Sequence, residues 1–194
     1  IYEANISLIN ALSGTINGKD SYLLERYLTA HAILLSFEGI PAIYIHSLLG
    51  TKNDLALYKK TKMKRSLNRH IYNYDDISKK LENKKSNTYK IFFELLKLIE
   101  IRKKQKAFHP NATQYTLNLG KKFFAVWRQS HDKKQSIFAI SNISKNKTKL
   151  DLNAVNIIKT EKWYDLLLKK QIITNKNKLL FEPYQSIWIS NTIK

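Results

Sequence analysis

The stretch Gly39-Ile40-Pro41-Ala42-Ile43-Tyr44-Ile45-His46-Ser47-Leu48-Leu49-Gly50 decides the fold. Pro41 to Ile45 is continuously apolar, the pattern of a parallel strand buried on both faces rather than of an alternating sheet edge. Upstream, Asp20 or Ser21 is placed to cap a helix over about 21–37. Its Leu23, Leu24, Tyr27, Leu28, Ile33, Leu34 and Leu35 form a broad apolar face, and Gly39 supplies a stop. Downstream come Asn53-Asp54 and then Arg65-Ser66-Leu67-Asn68-Arg69, a polar loop that carries a fixed guanidinium. Helix, strand and polar loop in that order read as the last unit of an α/β barrel, a fold that keeps its substrate sites in the loops after its strands. A strand over about 41–45 is thus expected to be the final one of a (β/α)8 barrel.

Working outward, a short helix is expected from Asn53 or Asp54, another after the cap candidate Asp75, and a long one over about 88–106. In the long helix Phe92, Phe93, Leu95, Leu96, Ile99 and Ile101 are the expected buried face, and the run Arg102-Lys103-Lys104-Gln105-Lys106 suits the dipole at a helix C-terminus. Pro110 stops that helix and biases His109 to extended geometry. From Thr113 onward the apolar residues alternate in short runs: Gln114–Leu119, a turn at Gly120-Lys121, Phe123–Arg128, then Gln135–Ile143, Lys147–Asn153, Lys162–Leu168, Lys178–Phe181 and Tyr184–Ser190. The expected fold class is α/β plus all-β. Residues 1–108 read as the C-terminal end of a (β/α)8 barrel, and residues 109–194 as a small antiparallel β-sandwich domain. Phe124, Trp127, Phe138, Trp163 and Trp188 are the candidate sandwich core.

A complete barrel of this kind takes roughly 250 residues. The chain has 194 residues, begins at Ile1 and has its single methionine at Met63, so a piece of a longer protein is expected. Cysteine is absent, which removes disulfide frameworks and thiolate chemistry. No apolar run reaches the roughly 20 residues of a membrane span and no signal sequence opens the chain, so the expected location is the cytoplasm, away from membrane. Lys and Arg total 34 against 15 Asp and Glu, a formal charge of +19. The cations are scattered along every element without aromatic interleaving, which argues against nucleic acid as a partner. His31 and His70 lack the paired spacing of a zinc site, and no metal or cofactor is expected.

Tyr2-Glu3-Ala4-Asn5-Ile6, Ala11-Leu12, the stretch from Gly39 to Gly50, Asn53-Asp54 and Arg65-Ser66-Leu67-Asn68-Arg69 together resemble the sucrose-phosphorylase-like branch of the α-amylase superfamily. The His-Ser-Leu-Leu-Gly and Arg-Ser-Leu-Asn-Arg forms are more similar to its glucosylglycerate and sucrose 6-phosphate phosphorylases than to sucrose phosphorylase proper. The similarity runs on through Ala107-Phe108-His109-Pro110-Asn111 and, more weakly, through Ser141-Asn142-Ile143-Ser144 and Glu182-Pro183-Tyr184-Gln185. The resemblance implies a retaining double displacement in which an α-glucoside gives up its glucosyl group to inorganic phosphate, forming α-glucose 1-phosphate. Such chemistry needs two carboxyl groups about 5 Å apart. The family carries them on earlier barrel strands whose motifs are absent from this sequence. No catalytic residue is therefore assigned, the chain alone is expected to be inactive, and the missing N-terminal barrel segment is an implied partner.

By the same resemblance, Arg65 matches the arginine that hydrogen-bonds the hydroxyls of the bound glucosyl ring, a task suited to a planar, permanently charged group with several donors in fixed directions. Tyr2 and Glu3 match the loop lining the acceptor and phosphate side, where other members carry Gln at the Glu3 position. Asn5 is adjacent, and Leu8 and Ile9 stand where relatives often have aromatics. His46 is expected to pack behind the site. Asp54, Asp75 and Asp76 read as helix caps or loop residues. Two other readings stay open: a hydrolase or transglucosylase of the same superfamily, told apart by whether phosphate is the preferred acceptor, and a basic module that binds nucleic acid or an acidic glycan.

Overall fold

In the computed structural model, which describes residues 4–155, 162–173 and 177–193, the helix-periodic half of the chain forms helices and the alternating half forms antiparallel strands. In order these are α1 (Leu8–Ala11), a hairpin of β1 (Gly14–Thr15) and β2 (Gly18–Lys19), α2 (Leu23–Leu34), α3 (Ile45–Leu48), α4 (Leu55–Thr61), a 3-10 turn Lys64–Asn68, α5 (Tyr74–Glu82) and α6 (Asn87–Lys103). A 3-10 turn Lys106–Phe108 leads into β3 (Thr113–Leu117), β4 (Phe123–Gln129), β5 (Ser136–Asn142), β6 (Thr148–Asp151), β7 (Tyr164–Asp165), β8 (Lys170–Gln171), β9 (Lys178–Phe181) and β10 (Ser186–Ser190). The described residues fall into two compact units, one of those up to 28 with 42–96, the other of 29–41 with those from 97 on.

In the first unit, short polar side chains start the helices and a glycine ends one. Asp20 accepts from Tyr22 N ahead of α2 and pairs with Arg26 at 2.8 Å. Asp54 caps α4 by accepting from Leu57 N at 2.8 Å. The cap of α5 is Asn73, whose side chain accepts from Asp75 N, one turn-start earlier than the expected Asp75. Helix α3 closes with Thr51 N donating to His46 O and Gly50 N to Ser47 O, a doubly bonded stop that puts Gly50 at φ +59. A Cβ added at Gly50 would meet Ile91 Cδ1 at 2.5 Å, so this position is closed to side chains both by its backbone and by its neighbour.

The strand expected at 41–45 is not formed. Residues 41–44 enter no ladder with any described residue, and Ile45 opens α3. Nor are they buried on both faces: Tyr44 and Ile45 are about half exposed, 53% and 52%. The physical reason is that a parallel strand exists only by bonding to neighbouring strands, and the described sheets all lie elsewhere in the chain. The buried stripe of α6 is also shifted from the expected one. Ile91, Leu95, Leu98 and Ile101 line it, whereas Phe93 is exposed.

In the second unit β3-β4-β5-β10-β7-β8 form an antiparallel sheet, and β6 pairs with β9 in a second one. Cross-strand rows divide the larger sheet into two faces. Ala125, Ile140 and Ile187 lie in one row and Trp127, Phe138 and Ile189 in another on the same face. These pack against Leu150 of β6 and Phe181 of β9, with Trp163 alongside, making a sandwich core. Val126, Ala139 and Trp188 form a row on the opposite face. There Trp188 meets Phe108 at 4.8 Å and Phe124 meets Phe37 at 5.7 Å. The five aromatics expected in one core therefore serve two faces of one sheet.

Arg128 also points to that second face, with none of its surface exposed. Its Nη1 donates to Ser36 O at 2.9 Å, and its Nη2 donates to His109 O at 2.8 Å and Ala112 O at 3.3 Å. Arg102 of α6, also buried, donates through Nη1 to Leu35 O and through Nη2 to Gly39 O at 3.0 Å. Burial and the nearby charge of Arg102 bring the Arg128 guanidinium down to about 10, against the pull of Glu38, so it stays charged at neutral pH. Carbonyl dipoles rather than a bonded carboxylate hold this charge.

Two expectations follow from this packing. Replacing Arg128 with Met leaves buried carbonyls without donors and lowers stability by about 3 kcal/mol, while Lys, a point charge without the fork, restores only part. Denaturant titration checks this, since the midpoint falls with the slope unchanged; an unmoved midpoint contradicts it. Gly50→Ala costs about 1–2 kcal/mol through its left-handed backbone alone, on top of the clash. The double variant Gly50→Ala/Ile91→Val, measured by the same titration, regains the clash part only.

Candidate functional site

The loop from α3 to α5 is built by side chains that satisfy main-chain groups no helix or sheet reaches. After α4, Lys62 adopts a left-handed backbone, φ 56, and turns the chain back on itself. The Lys64–Asn68 turn then lies against α4. Ser66, 5% exposed, places its hydroxyl 2.7 Å from Thr61 Oγ1, and Asp54 N donates to Leu67 O at 2.7 Å. Two residues past the turn, His70 Nδ1 lies 2.6 Å from Asp54 Oδ2. Arg65 stands exposed on this turn, between the Ser66 anchor and the end of α4.

Beside it runs a second chain of contacts. Tyr72 Oη lies 2.7 Å from Thr51 Oγ1, which lies 3.2 Å from His46 Nδ1. The ring of His46 meets Tyr44 edge-on at 5.0 Å, and His70 meets Tyr72 edge-on at 4.5 Å. Lys80 Nζ sits 5.4 Å from the centre of the Tyr72 ring. Deeper in the unit the Tyr27 hydroxyl donates to Ser47 O at 2.6 Å, and burial pushes it up to about 12. Thr51, Asp54, His70 and Tyr72 line an open recess of about 540 Å³ together with Gly50 and Asn53.

Two groups of the loop have shifted proton affinities. The N–H of Leu57, and after it His70, hold the Asp54 carboxyl below its ordinary range, so it is ionised. Burial, and the charge of His70, hold the His46 imidazole below its ordinary value, so it is neutral. Asp54 thus serves as cap and hydrogen-bond acceptor within the fold. Arg65 is exposed on the turn, and a guanidinium is a planar set of donors of the kind that suits hydroxyl oxygens.

Tyr2 and Glu3 lie outside the described residues. Asp75 and Asp76 are exposed in the first turn of α5, where acidic side chains favour the helix dipole. Ile9 is buried at 3% and Leu8 is 39% exposed. His70, weighed from the sequence only as a zinc ligand, and Tyr72, not singled out there, are brought into the loop by the fold. The only signal was their position directly after Asn68-Arg69, because a contact spanning 16 residues has no local pattern.

No family model matches the chain. It is 32% identical over 188 residues to the glucosylglycerate phosphorylase of Escherichia coli (strain K12), an alignment covering 97% of the chain and 32% of that protein. It is 36% identical over 85 residues to the sucrose 6(F)-phosphate phosphorylase of Thermoanaerobacterium thermosaccharolyticum, covering 44% of the chain and 16% of that protein. Among solved structures, AmyP in complex with maltose superposes with a TM-score of 0.70 at 13% identity, over 88% of the chain and 35% of AmyP. That likeness shows the fold, and the chain spans about a third of the length of the glucosylglycerate phosphorylase it matches. Over nearly all of its length the chain is thus similar to glucosylglycerate phosphorylase, over part of it to sucrose 6(F)-phosphate phosphorylase, and in fold to AmyP.

Proposed function

We propose that this chain is the C-terminal part of an α-glucoside phosphorylase, and that its Arg65 loop forms one wall of the glucosyl site. The reaction is a retaining transfer of glucose from an α-glucoside to inorganic phosphate, yielding α-glucose 1-phosphate. The nucleophile and acid, about 5 Å apart in such chemistry, come from the barrel segment missing here, which is the chain's partner in the site. Arg65 binds and orients the ring hydroxyls. Tyr2 and Glu3 line the acceptor side, where a carboxylate shapes which acceptor is hydrogen-bonded. The observation that carries this reading is the end-to-end similarity, 97% of the chain, to a glucosylglycerate phosphorylase. The presentation of Arg65 on an anchored turn adds support.

The physical basis for Arg65 is directional. A guanidinium offers donors in one plane, so two neighbouring hydroxyls on a sugar ring are both met only in one ring orientation. That selects the productive pose before any bond breaks.

The test joins this chain to the part of the Escherichia coli glucosylglycerate phosphorylase outside the matched 188 residues and follows phosphate-dependent release of α-glucose 1-phosphate from glucosylglycerate. Release that requires phosphate is expected, and Arg65→Ala is expected to lower kcat/KM on the order of a hundredfold by removing charged hydrogen bonds. Free glucose as the main product overturns the phosphorylase reading in favour of a hydrolase. An unchanged kcat/KM in Arg65→Ala removes Arg65 from the site.

A further inference from the structure

We propose that Asp54 and His70 form a clamp that positions Arg65. This rests on the reading of Arg65 given above and adds to it the residues that set where the guanidinium stands.

Asp54 is used at three of its atoms. Oδ1 accepts from Leu57 N at 2.8 Å and so fixes the start of α4. The main-chain N donates to Leu67 O at 2.7 Å, within the turn that bears Arg65. Oδ2 lies 2.6 Å from His70 Nδ1, just beyond that turn. One residue thereby joins the start of α4 to both the inside and the exit of the Lys64–Asn68 turn. The far side of the turn is held by Ser66 Oγ on Thr61 Oγ1 at 2.7 Å, near the end of α4. The turn is thus pinned at two points along the helix, and Arg65 directly precedes Ser66, the first of the pinned turn residues.

The geometry matters because a 3-10 turn of this length has little stability of its own. At its two ends the turn is closed by Ser66 N to Met63 O at 3.0 Å and Arg69 N to Ser66 O at 3.4 Å, the second being long. A charge-assisted bond at 2.6 Å between an imidazole 34% exposed and a carboxylate 15% exposed ties down the exit of the turn. Tyr72, edge-on to His70 and bonded to Thr51, holds the imidazole from its other side. Without the Asp54–His70 bond the turn keeps its attachments at Ser66 and Leu67 but loses the one at its exit, and the backbone that carries Arg65 is held less firmly.

Two variants separate the clamp from the helix cap. Asp54→Ser keeps a capping oxygen for Leu57 N but is too short to reach His70, and His70→Ala leaves the cap untouched. Hydrogen exchange on the 194-residue chain is expected to show amides 64–69 opening about tenfold faster in each variant, no faster still in the double variant, and α4 unchanged. Wild-type exchange at 64–69 in either single variant overturns the clamp. In the joined enzyme described above, His70→Ala lowers kcat/KM for glucosylglycerate about tenfold, and has no further effect in an Arg65→Ala background, because the two changes act through one guanidinium. An additional loss in that background overturns the positioning role. If Arg65→Ala itself leaves kcat/KM unchanged, the Arg65 reading has failed, and exchange alone decides whether the clamp exists.

Discussion

The buried guanidinium of Arg128 is the interaction on which the second unit depends. It takes carbonyls from Ser36, His109 and Ala112, three places where the chain is neither helix nor strand. Arg102 does the same for Leu35 and Gly39 on the segment leaving α2, and the Phe108 ring lies 5.3 Å from one guanidinium carbon and 5.8 Å from the other. Burying two like charges near each other is costly, and each is driven down by desolvation. What offsets this is that irregular backbone cannot bond to itself. Its carbonyls need donors, and a forked cation supplies several from one rigid group. The sheet can be covered on its second face only because these loops are satisfied there.

The Arg65 loop follows the same rule at smaller scale. Asp54, Thr61, Ser66 and His70 satisfy one another and the main chain of a turn too short to hold itself. Acidic residues are scarce in a chain of +19 net charge, and several are spent on structure in this way. Asp132, for example, accepts from the Ser130 hydroxyl at 2.6 Å, which holds its carboxyl well below the usual range. Asp165 accepts from the N–H groups of Leu167 and Leu168, yet burial outweighs them and raises it. Neither sits near Arg65 in sequence, and both tie turns of the β-rich part.

Much of the architecture was legible because it is written in short-range patterns. The alternation from Thr113 onward marks strands that form within a few residues of the expected positions, and Lys178–Phe181 matches in full. The cap at Asp54 follows from its residue type and the helix-forming run behind it. The strand over 41–45 is not formed here for a physical reason. Its apolar run describes what such a strand needs around it, and the neighbours that would make it a strand are not among the described residues. Phe93 was misread because a helix rich in apolar residues permits more than one stripe, and packing selects Ile91, Leu95, Leu98 and Ile101.

By itself, then, the sequence determined the two structural regimes, the positions of most strands and the α4 cap, since each rests on residue type or on spacing within a few positions. Only the tertiary structure decided that Arg128 is a buried centre and that His70 belongs with Asp54. Arg128 meets Ser36 across 92 residues, and His70 meets Asp54 across 16. Such pairs arise from how elements pack, and a strand ending in arginine or a histidine after a basic run looks the same in sequence whether it faces water or a carbonyl.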